Sequence, residues 1–233
     1  MSYVQFNDLD QNYKNSIMLW LITLTIMVFL IIIIGGLTRL TDSGLSMVDW
    51  QPILGTIPPL NNNQWIDVFN DYKLTPEFLY VNKNMTLDEF KYIFWWEWFH
   101  RFFARLIGLV FIIPFIYFLI KKNLNSFFYK RFSIIFSLGL FQALVGWWMV
   151  KSGLSDDPFV SPYRLTFHLT NAVIIYALLL WTSVEYFHLK STNFISIRSK
   201  NVLILISIIL VFVTILSGGF MAGSHAGQSF NTY

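Results

Sequence analysis

The chain has 233 residues, of which 55% are hydrophobic and only 12% are charged, with a formal net charge of +3. Soluble domains carry about 25% charged residues, so this composition excludes an ordinary water-soluble globular protein. The chain contains no cysteine, which excludes disulfides, thiolate metal sites, iron–sulfur clusters and covalently attached c-type heme.

Five hydrophobic segments are long enough to cross a bilayer, which requires about 20 apolar residues. They cover residues 17–37, 94–120, 132–150, 165–187 and 202–222. Basic residues lie in the loops after the second and fourth segments, whereas the stretch 38–96 is net acidic. By the positive-inside rule, we expect the N-terminus and both basic loops to be cytoplasmic. The sequence predicts an all-α, polytopic membrane helical bundle, in a bacterial inner (plasma) membrane.

The outer segment 38–96 carries turn-forming prolines and glycines and then a capping box from Thr86 to Glu89. The capping box predicts a helix that runs from about Leu87 into the second span without a break. The aromatic residues of this segment allow two interpretations. Trp65, Phe69 and Tyr72 either lie at the membrane surface or fill a small core of the loop.

A motif after the first span recurs after the fifth, because residues 35–46 and 218–229 share glycines and a serine at an offset of 183. Four spans separate the copies, which favours two parallel four-helix units. We therefore expect residues 1–187 to form an N-terminal four-helix unit that includes the outer loop 38–96. Residues 188–233 are expected to be a linker and the first helix of an incomplete second unit. Five spans of a probable eight would then be present, as in a truncated product.

The second span carries ionisable residues on one helical face, at Glu97, His100, Arg101 and Arg105. Each costs about 2.5–3.5 kcal/mol on membrane-insertion scales, so this face is expected to contact the protein interior or a bound polar group. A simpler interpretation is that Glu97 pairs with Arg101 at the membrane edge. That pairing leaves His100 and Arg105 without a role.

His168, in the fourth span, is the expected partner of His100, because both spans run inward and both histidines lie close to the outer surface. Two imidazoles that face each other across a helical bundle are a common way to bind heme in a membrane. Arg101 and Arg105 suit the heme propionates. His188 and His225 are expected to be surface residues.

The third span presents small residues and one amide on a single face, which suits close helix contact. These residues are Gly139, Gln142, Ala143 and Gly146. Trp147 and Trp148 follow at the outer interface. We interpret them as interfacial anchors, with walls of a heme cleft as the alternative.

Three motifs, at residues 35–50, 55–60 and 90–101, resemble the heme A synthase family, in its proteobacterial and mitochondrial branch without outer-loop cysteines. The resemblance implies eight spans in two halves, each with a histidine pair. His100 and His168 match the pair of the N-terminal half, where the substrate heme reacts, and Glu97 matches the carboxylate implicated in the oxidation. A second pair, absent from this sequence, would hold heme b.

The implied activity is an oxidoreductase that converts the C8 methyl of heme O to the formyl group of heme A, for cytochrome oxidase biogenesis. In this hypothesis His100 and His168 bind the heme iron and Arg101 and Arg105 hold the propionates. Glu97 orients or deprotonates the group near the reacting methyl. The implied partners are heme O synthase, an electron-transfer partner and membrane lipid, with no nucleic acid; a homo-oligomer is left open. The alternatives are a b-type electron-transfer cytochrome and a non-catalytic heme carrier or assembly factor.

Overall fold

The computed structural model describes residues 11–49, 54–122, 124, 126–155, 157–188 and 202–229. In chain order the helices are α1 (Gln11–Leu40), α2 (Asn62–Tyr72), α3 (Pro76–Tyr80), α4 (Leu87–Ile120), α5 (Ser126–Gly153), α6 (Pro162–His188), α7 (Val202–Gly223) and α8 (Ala226–Ser229). Within the described ranges, five of these helices (α1, α4, α5, α6 and α7) are long and apolar enough to cross a membrane. The prediction of an all-α polytopic bundle is confirmed.

Four of the membrane helices form a closed ring. Helix α1 packs against α4 and α6, and α5 packs against the same two helices from the other side. Helices α4 and α6 are therefore diagonal to each other across the bundle, and so are α1 and α5. Helix α7 lies outside this ring and packs against α6.

The half of the bundle far from the long loop is filled with apolar side chains from all four helices. Trp20 lies at its centre, with ring centroids 5.5 Å from Phe111, 5.6 Å from Phe118 and 5.1 Å from Phe132. Burial of such large aromatic side chains supplies much of the packing energy of a helical interior. The ionisable residues of α4, at positions 97–105, lie in the other half, nearer the start of the helix at Leu87.

Pro114 interrupts the hydrogen-bond ladder of α4, because proline has no backbone N–H. The carbonyl that loses its partner belongs to Val110, four residues earlier. Trp20 Nε1 donates to this carbonyl oxygen at 2.8 Å. A side chain of α1 thus satisfies the backbone group that the proline leaves unpaired, as the low-polarity environment requires.

Helix α4 begins as the sequence predicts. The hydroxyl of Thr86 accepts from the backbone N–H of Glu89 at 3.4 Å, and the Glu89 carboxylate accepts from the backbone N–H of Thr86 at 2.7 Å. From Leu87 the helix continues to Ile120 for 34 residues. The predicted capping box and the unbroken entry into the span are both confirmed.

The aromatic residues of the outer segment form a small core against the first turns of α4. Trp65 lies 5.0 Å from Phe94 between ring centroids, and Phe69 lies 4.9 Å from Phe90. Tyr72 is fully buried. Of the two interpretations of these aromatic residues, the small loop core is therefore the correct one. This core packs α2 against α4.

The ends of α1 and α7 have the same local structure at an offset of 183 residues. Thr41 and Ser224 each donate their backbone N–H at 2.9 Å, and also their hydroxyl, to the carbonyl four residues earlier. One residue later, Asp42 and His225 both adopt a left-handed backbone conformation, with φ of 46° and 53°. The two copies of the motif therefore fold alike as far as Asp42 and His225, after which residues 226–229 form α8 and residues 43–46 form no helix. The division into units 1–187 and 188–233 stays a prediction.

Helix α7 approaches α6 closely through glycines. A β-carbon on Gly219 would lie 2.9 Å from Thr166 Oγ1, and one on Gly223 would lie 2.6 Å from Pro162 Cα. Arg39, at the end of α1, donates through Nη2 to the carbonyl oxygen of Ala222 at 2.6 Å. The guanidinium thereby pairs with the negative end of the α7 helix dipole.

Candidate functional site

The two histidines of the candidate site lie on the diagonal helices, His100 on α4 and His168 on α6. Each packs against a glycine of a neighbouring helix: a β-carbon on Gly35 of α1 would lie 3.1 Å from His100 Cε1, and one on Gly146 of α5 would lie 3.0 Å from His168 Cε1. Both glycines lie within about 12 Å of the outer ends of their helices, at 1.5 Å per residue. The structure therefore brings both imidazoles into the half of the bundle that adjoins the segment 38–96.

Both rings have a buried nitrogen without a hydrogen-bond partner. Within the described part of the chain, Nδ1 of His100 and Nδ1 of His168 are inaccessible to solvent and make no hydrogen bond. Buried polar atoms are normally satisfied. Two unsatisfied imidazoles in one interior indicate a site built for a ligand rather than a structural contact.

Small residues lie on the face of α4 that carries His100 and on the face of α5 that carries Gln142 and Gly146. Ala104, Gly108, Gly139 and Ala143 are all exposed. A β-carbon on Gly108 or on Gly139 would meet no atom within 4 Å. No other part of the described chain packs against these two positions, so they leave room for a flat ligand beside the histidines. Within the described ranges, no group of three or more His, Cys, Asp or Glu side chains is placed to hold a metal ion.

Glu97 is 2% exposed and lies at the centre of a hydrogen-bond network. Its Oε2 accepts from the hydroxyl of Ser46 at 2.6 Å and from the backbone N–H of Met47 at 2.9 Å. Its Oε1 accepts from Arg101 Nη2, one turn along α4. The segment after α1 therefore folds back over the carboxylate and fixes its orientation. Such a carboxylate is positioned by three donors before any ligand binds.

Arg101 pairs with Glu97, so the simpler interpretation of these two residues is present in the structure. The ion pair is buried, with the side chain of Arg101 15% exposed and that of Glu97 3% exposed. Arg101 Nη2 also donates to the carbonyl oxygen of Met47 at 3.2 Å. Arg105 lies one turn further along the same face and is half-buried. The pair therefore does not account for His100 or Arg105.

Several residues of this site carried no assigned role in the sequence. Ser46 and Met47 belong to the motif after the first span, but nothing local indicates that they contact a residue 50 positions later. Gly35 and Gly146 were visible only as small residues. Gln142 was expected to face another helix, and it does: its side chain contacts His168 and Asn171 of α6.

The other two histidines lie apart from this site. His225 is half-buried at the outer end of α7, with Nε2 2.8 Å from Arg39 Nη2 and its ring 4.7 Å from the ring of Phe159. Burial, together with the Arg39 guanidinium, holds the pKa of His225 below its usual value. His188 ends α6, and its side chain lies outside the described residues.

The tryptophans at the outer end of α5 are exposed, Trp147 by 39% and Trp148 by 43%. The guanidinium of Arg164 lies 4.5 Å from the centroid of Trp148, and Nη1 donates to the Trp148 carbonyl at 2.8 Å. Exposed indoles beside a cation at this level accord with interfacial anchoring rather than with walls of an interior cleft.

A second buried carboxyl lies in the outer segment. Glu77 of α3 is 6% exposed, and its Oε2 accepts from the hydroxyl of Tyr72 at 2.9 Å. Asn82 donates to the same hydroxyl at 2.8 Å. Burial raises the pKa of Glu77 to about 8. This group therefore titrates near neutral pH, unlike an exposed glutamate.

Comparison with known proteins gives a consistent picture. A family model described as "Cytochrome oxidase assembly protein" matches residues 18–233. A heme A synthase of Nitrosospira multiformis is 46% identical over 244 residues, which cover 100% of this chain and 68% of that protein. The heme A synthase of Nitrosomonas eutropha is 46% identical over 93% of this chain and 62% of that protein.

A third relative gives a similar match. The heme A synthase of Flavobacterium psychrophilum is 45% identical over 94% of this chain and 64% of its own length. The chain thus spans between 62% and 68% of the length of these three relatives. No solved structure matches the chain.

Proposed function

We propose that this chain takes part in the conversion of heme O to heme A in a membrane, since it belongs to the family of cytochrome oxidase assembly proteins. The relatives named heme A synthase support this activity, as does the site in the outer half of the bundle. The observation that carries the proposal is the pair of half-buried histidines on diagonal helices, each of which packs against a glycine of a neighbouring helix.

His100 and His168 are proposed as the two axial ligands of the substrate heme iron. Neutral imidazole is a common ligand of heme iron. The glycines beside the two rings leave them room to turn, because each imidazole faces a hydrogen atom instead of a side chain. The small residues of α4 and α5 leave space for the macrocycle between them.

Arg101 and Arg105 are proposed to hold the heme propionates, since both lie on the face of α4 that carries His100. Arg101 uses one nitrogen, Nη2, for its contacts to Glu97 and Met47. A guanidinium has five N–H donors on three nitrogens, so this pairing is compatible with a further bond to a carboxylate. The ion pair fixes Arg101, and a fixed arginine loses less conformational entropy when a propionate binds.

Glu97 is proposed as the catalytic carboxylate. Conversion of a methyl to a formyl group takes up one oxygen atom, from water in the balanced half-reaction, and releases four protons and four electrons. The electrons pass to an external acceptor, and a bound heme iron would supply the redox chemistry. Protons are released in this conversion, and a carboxylate held by Ser46, Met47 and Arg101 is oriented to accept one. Its low exposure keeps bulk water away from the reacting group.

The finer assignments follow from the same proposal. An electron-transfer partner must accept the electrons, and a heme O synthase would supply the substrate. Heme b would bind in the part of the relatives that this chain does not span. A bacterial inner membrane with a cytoplasmic N-terminus would place Glu97 and the histidines near the periplasmic face, and the protein could form homo-oligomers.

Replacement of Glu97 tests the catalytic role. The chain and its Glu97→Ala variant are expressed with a source of heme O, and the hemes of the purified proteins are extracted and separated by chromatography. We expect heme A from the unchanged chain, and bound heme O with little heme A from the variant. Asp88→Ala is the matched control, because Asp88 is exposed at the start of the same helix.

Each other result has a defined meaning. An unchanged rate of heme A formation by Glu97→Ala would exclude the catalytic role of the carboxylate. Heme B alone in the purified unchanged chain would favour an electron-transfer cytochrome. Heme O bound by the unchanged chain but never converted would favour a heme carrier or assembly factor.

A further inference from the structure

Gln142 of α5 makes three polar contacts with α6 that the proposed function does not use. Its Nε2 donates to the backbone carbonyl oxygen of His168 at 3.1 Å and lies 3.3 Å from Nε2 of the His168 ring. Its Oε1 accepts from Nδ2 of Asn171 at 2.7 Å. Asn171 is itself buried. One amide is therefore fixed at both ends beside one of the two candidate ligands.

The orientation of this amide follows from its partners. A backbone carbonyl oxygen can only accept, so the Gln142 atom that faces the His168 carbonyl is the NH₂ group. Asn171 Nδ2, a donor, faces the other end, which must then be the oxygen. The two ends agree, so the assignment does not depend on the ring of His168.

The same amide determines the tautomer of His168. The NH₂ group has two hydrogens, one for the carbonyl and one directed at the ring Nε2. Nε2 must then accept with its lone pair, which leaves the proton of the neutral ring on Nδ1. Nδ1 is the nitrogen without a partner. A neutral imidazole with its lone pair on Nε2 is the form that binds a metal through Nε2.

We propose that Gln142 is a positioning residue that holds His168 in the tautomer and orientation needed to bind the heme iron. The inference rests on the proposed function, in which His168 is an axial ligand. When the iron takes the Nε2 lone pair, Gln142 gives up its longest contact and keeps its bonds to the His168 carbonyl and to Asn171. Little binding free energy is lost when the contact to Gln142 is exchanged for the bond to iron. The ring of His168 is already ordered before the heme binds.

Hemin titration tests this role. Hemin is added to the detergent-solubilised chain of 233 residues, and binding and spin state are followed by absorption and electron paramagnetic resonance. The unchanged chain should give a low-spin spectrum typical of two imidazole ligands. Gln142→Leu keeps the size of the side chain without its donor, and we expect hemin affinity to fall about tenfold, as for other residues that orient a metal ligand. At saturating hemin, part of its spectrum should become high-spin, and added imidazole should restore the low-spin form.

Two further variants separate ligand positioning from packing. Gln142→Glu replaces the donor by an acceptor, which favours a proton on His168 Nε2 and should weaken hemin binding more than Gln142→Leu. The double variant Gln142→Leu, Asn171→Leu removes both amides, so that no unpaired amide remains. It should show the same spectral change as Gln142→Leu. Ser137→Ala is the control, because Ser137 is exposed on α5 and bonds only within its own helix.

The outcomes distinguish this inference from the proposed function. Wild-type affinity and a fully low-spin spectrum in all Gln142 variants, with both lost in His168→Ala, would overturn the positioning role alone. An unchanged spectrum in His168→Ala, or no low-spin complex with the unchanged chain, would overturn both. A change confined to thermal unfolding, with the spin state intact at saturation, would also exclude the positioning role.

Discussion

Trp20 carries a structural role that its position in a hydrophobic stretch does not suggest. Its indole N–H satisfies the carbonyl of Val110, which Pro114 leaves without a helical partner. Its ring also fills the centre of the apolar half of the bundle. The same residue thus supports both the packing of α1 on α4 and the continuity of α4.

Replacement of this indole separates the two roles. Trp20→Phe keeps an aromatic ring but leaves the Val110 carbonyl unpaired, and a buried unsatisfied group costs about 1–3 kcal/mol. We expect a lower midpoint of thermal unfolding in detergent. Trp181→Phe is the control, since Trp181 is 53% exposed. An equal shift in both variants would mean that loss of ring size, and not of the hydrogen bond, is responsible.

Glu77 predicts a dependence of stability on pH. Its pKa is about 8 in the folded chain because it is buried, against 4.5 for an ordinary glutamate. Between these values the folded chain holds a proton that the unfolded chain has released. Stability from this group is therefore full below about pH 4.5 and falls as the pH rises to about 8.

Glu77→Gln removes this titration but keeps an oxygen to accept from the Tyr72 hydroxyl. We expect the midpoint of thermal unfolding of the unchanged chain to fall between about pH 5 and about pH 9, and that of Glu77→Gln to fall less. At low pH the unfolding midpoints of the unchanged chain and of Glu77→Gln should be alike. Asp88→Asn, at an exposed carboxyl, should follow the unchanged chain. If the unfolding midpoint of Glu77→Gln falls with pH as much as that of the unchanged chain, Glu77 is ionised in the folded protein.

At the scale of helices, the glycines of α1 and α5 decide where the imidazoles of α4 and α6 lie. Gly35→Ala and Gly146→Ala would each add a methyl group about 3 Å from a histidine Cε1. Overpacking of this kind typically costs about 1–3 kcal/mol. Each substitution should therefore weaken hemin binding, because the ring must turn away from its glycine.

A matched control exists on α1. A β-carbon on Gly36 would meet no atom within 4 Å. Gly36→Ala should leave the hemin titration close to that of the unchanged chain. An effect of Gly36→Ala equal to that of Gly35→Ala would indicate a change in helix stability in place of a local contact with the histidine.

At the scale of the whole molecule, the orientation in the membrane is a prediction that the absence of native cysteine makes easy to test. Lys83→Cys lies in the outer segment between α3 and α4, and Lys122→Cys follows the inner end of α4. With an impermeant maleimide on intact spheroplasts, we expect labelling of Lys83→Cys only. After permeabilisation both should be labelled. The reverse pattern would mean that the positive-inside assignment is wrong.

The sequence predicted much of the architecture and little of the site's connections. The five spans and the capping box of α4 are properties of short stretches, so local composition was sufficient for them. Local composition was not sufficient to place Trp65, Phe69 and Tyr72, because an aromatic residue near a membrane can pack on either side of its helix. Glu97 and His100 were recognised by residue type and Arg101 was named as a partner of Glu97, but the donors from Ser46 and Met47 were not.

By itself, the sequence determined that the chain is a helical membrane protein, since length and hydrophobicity decide whether a segment can cross a bilayer. It also determined that one face of α4 carries charge that must be satisfied inside the protein. The tertiary structure alone decided which helices are diagonal, which glycines contact His100 and His168, and which loop covers Glu97. These contacts depend on the rotation and depth of each helix against its neighbours, which are set by packing between residues far apart in the chain.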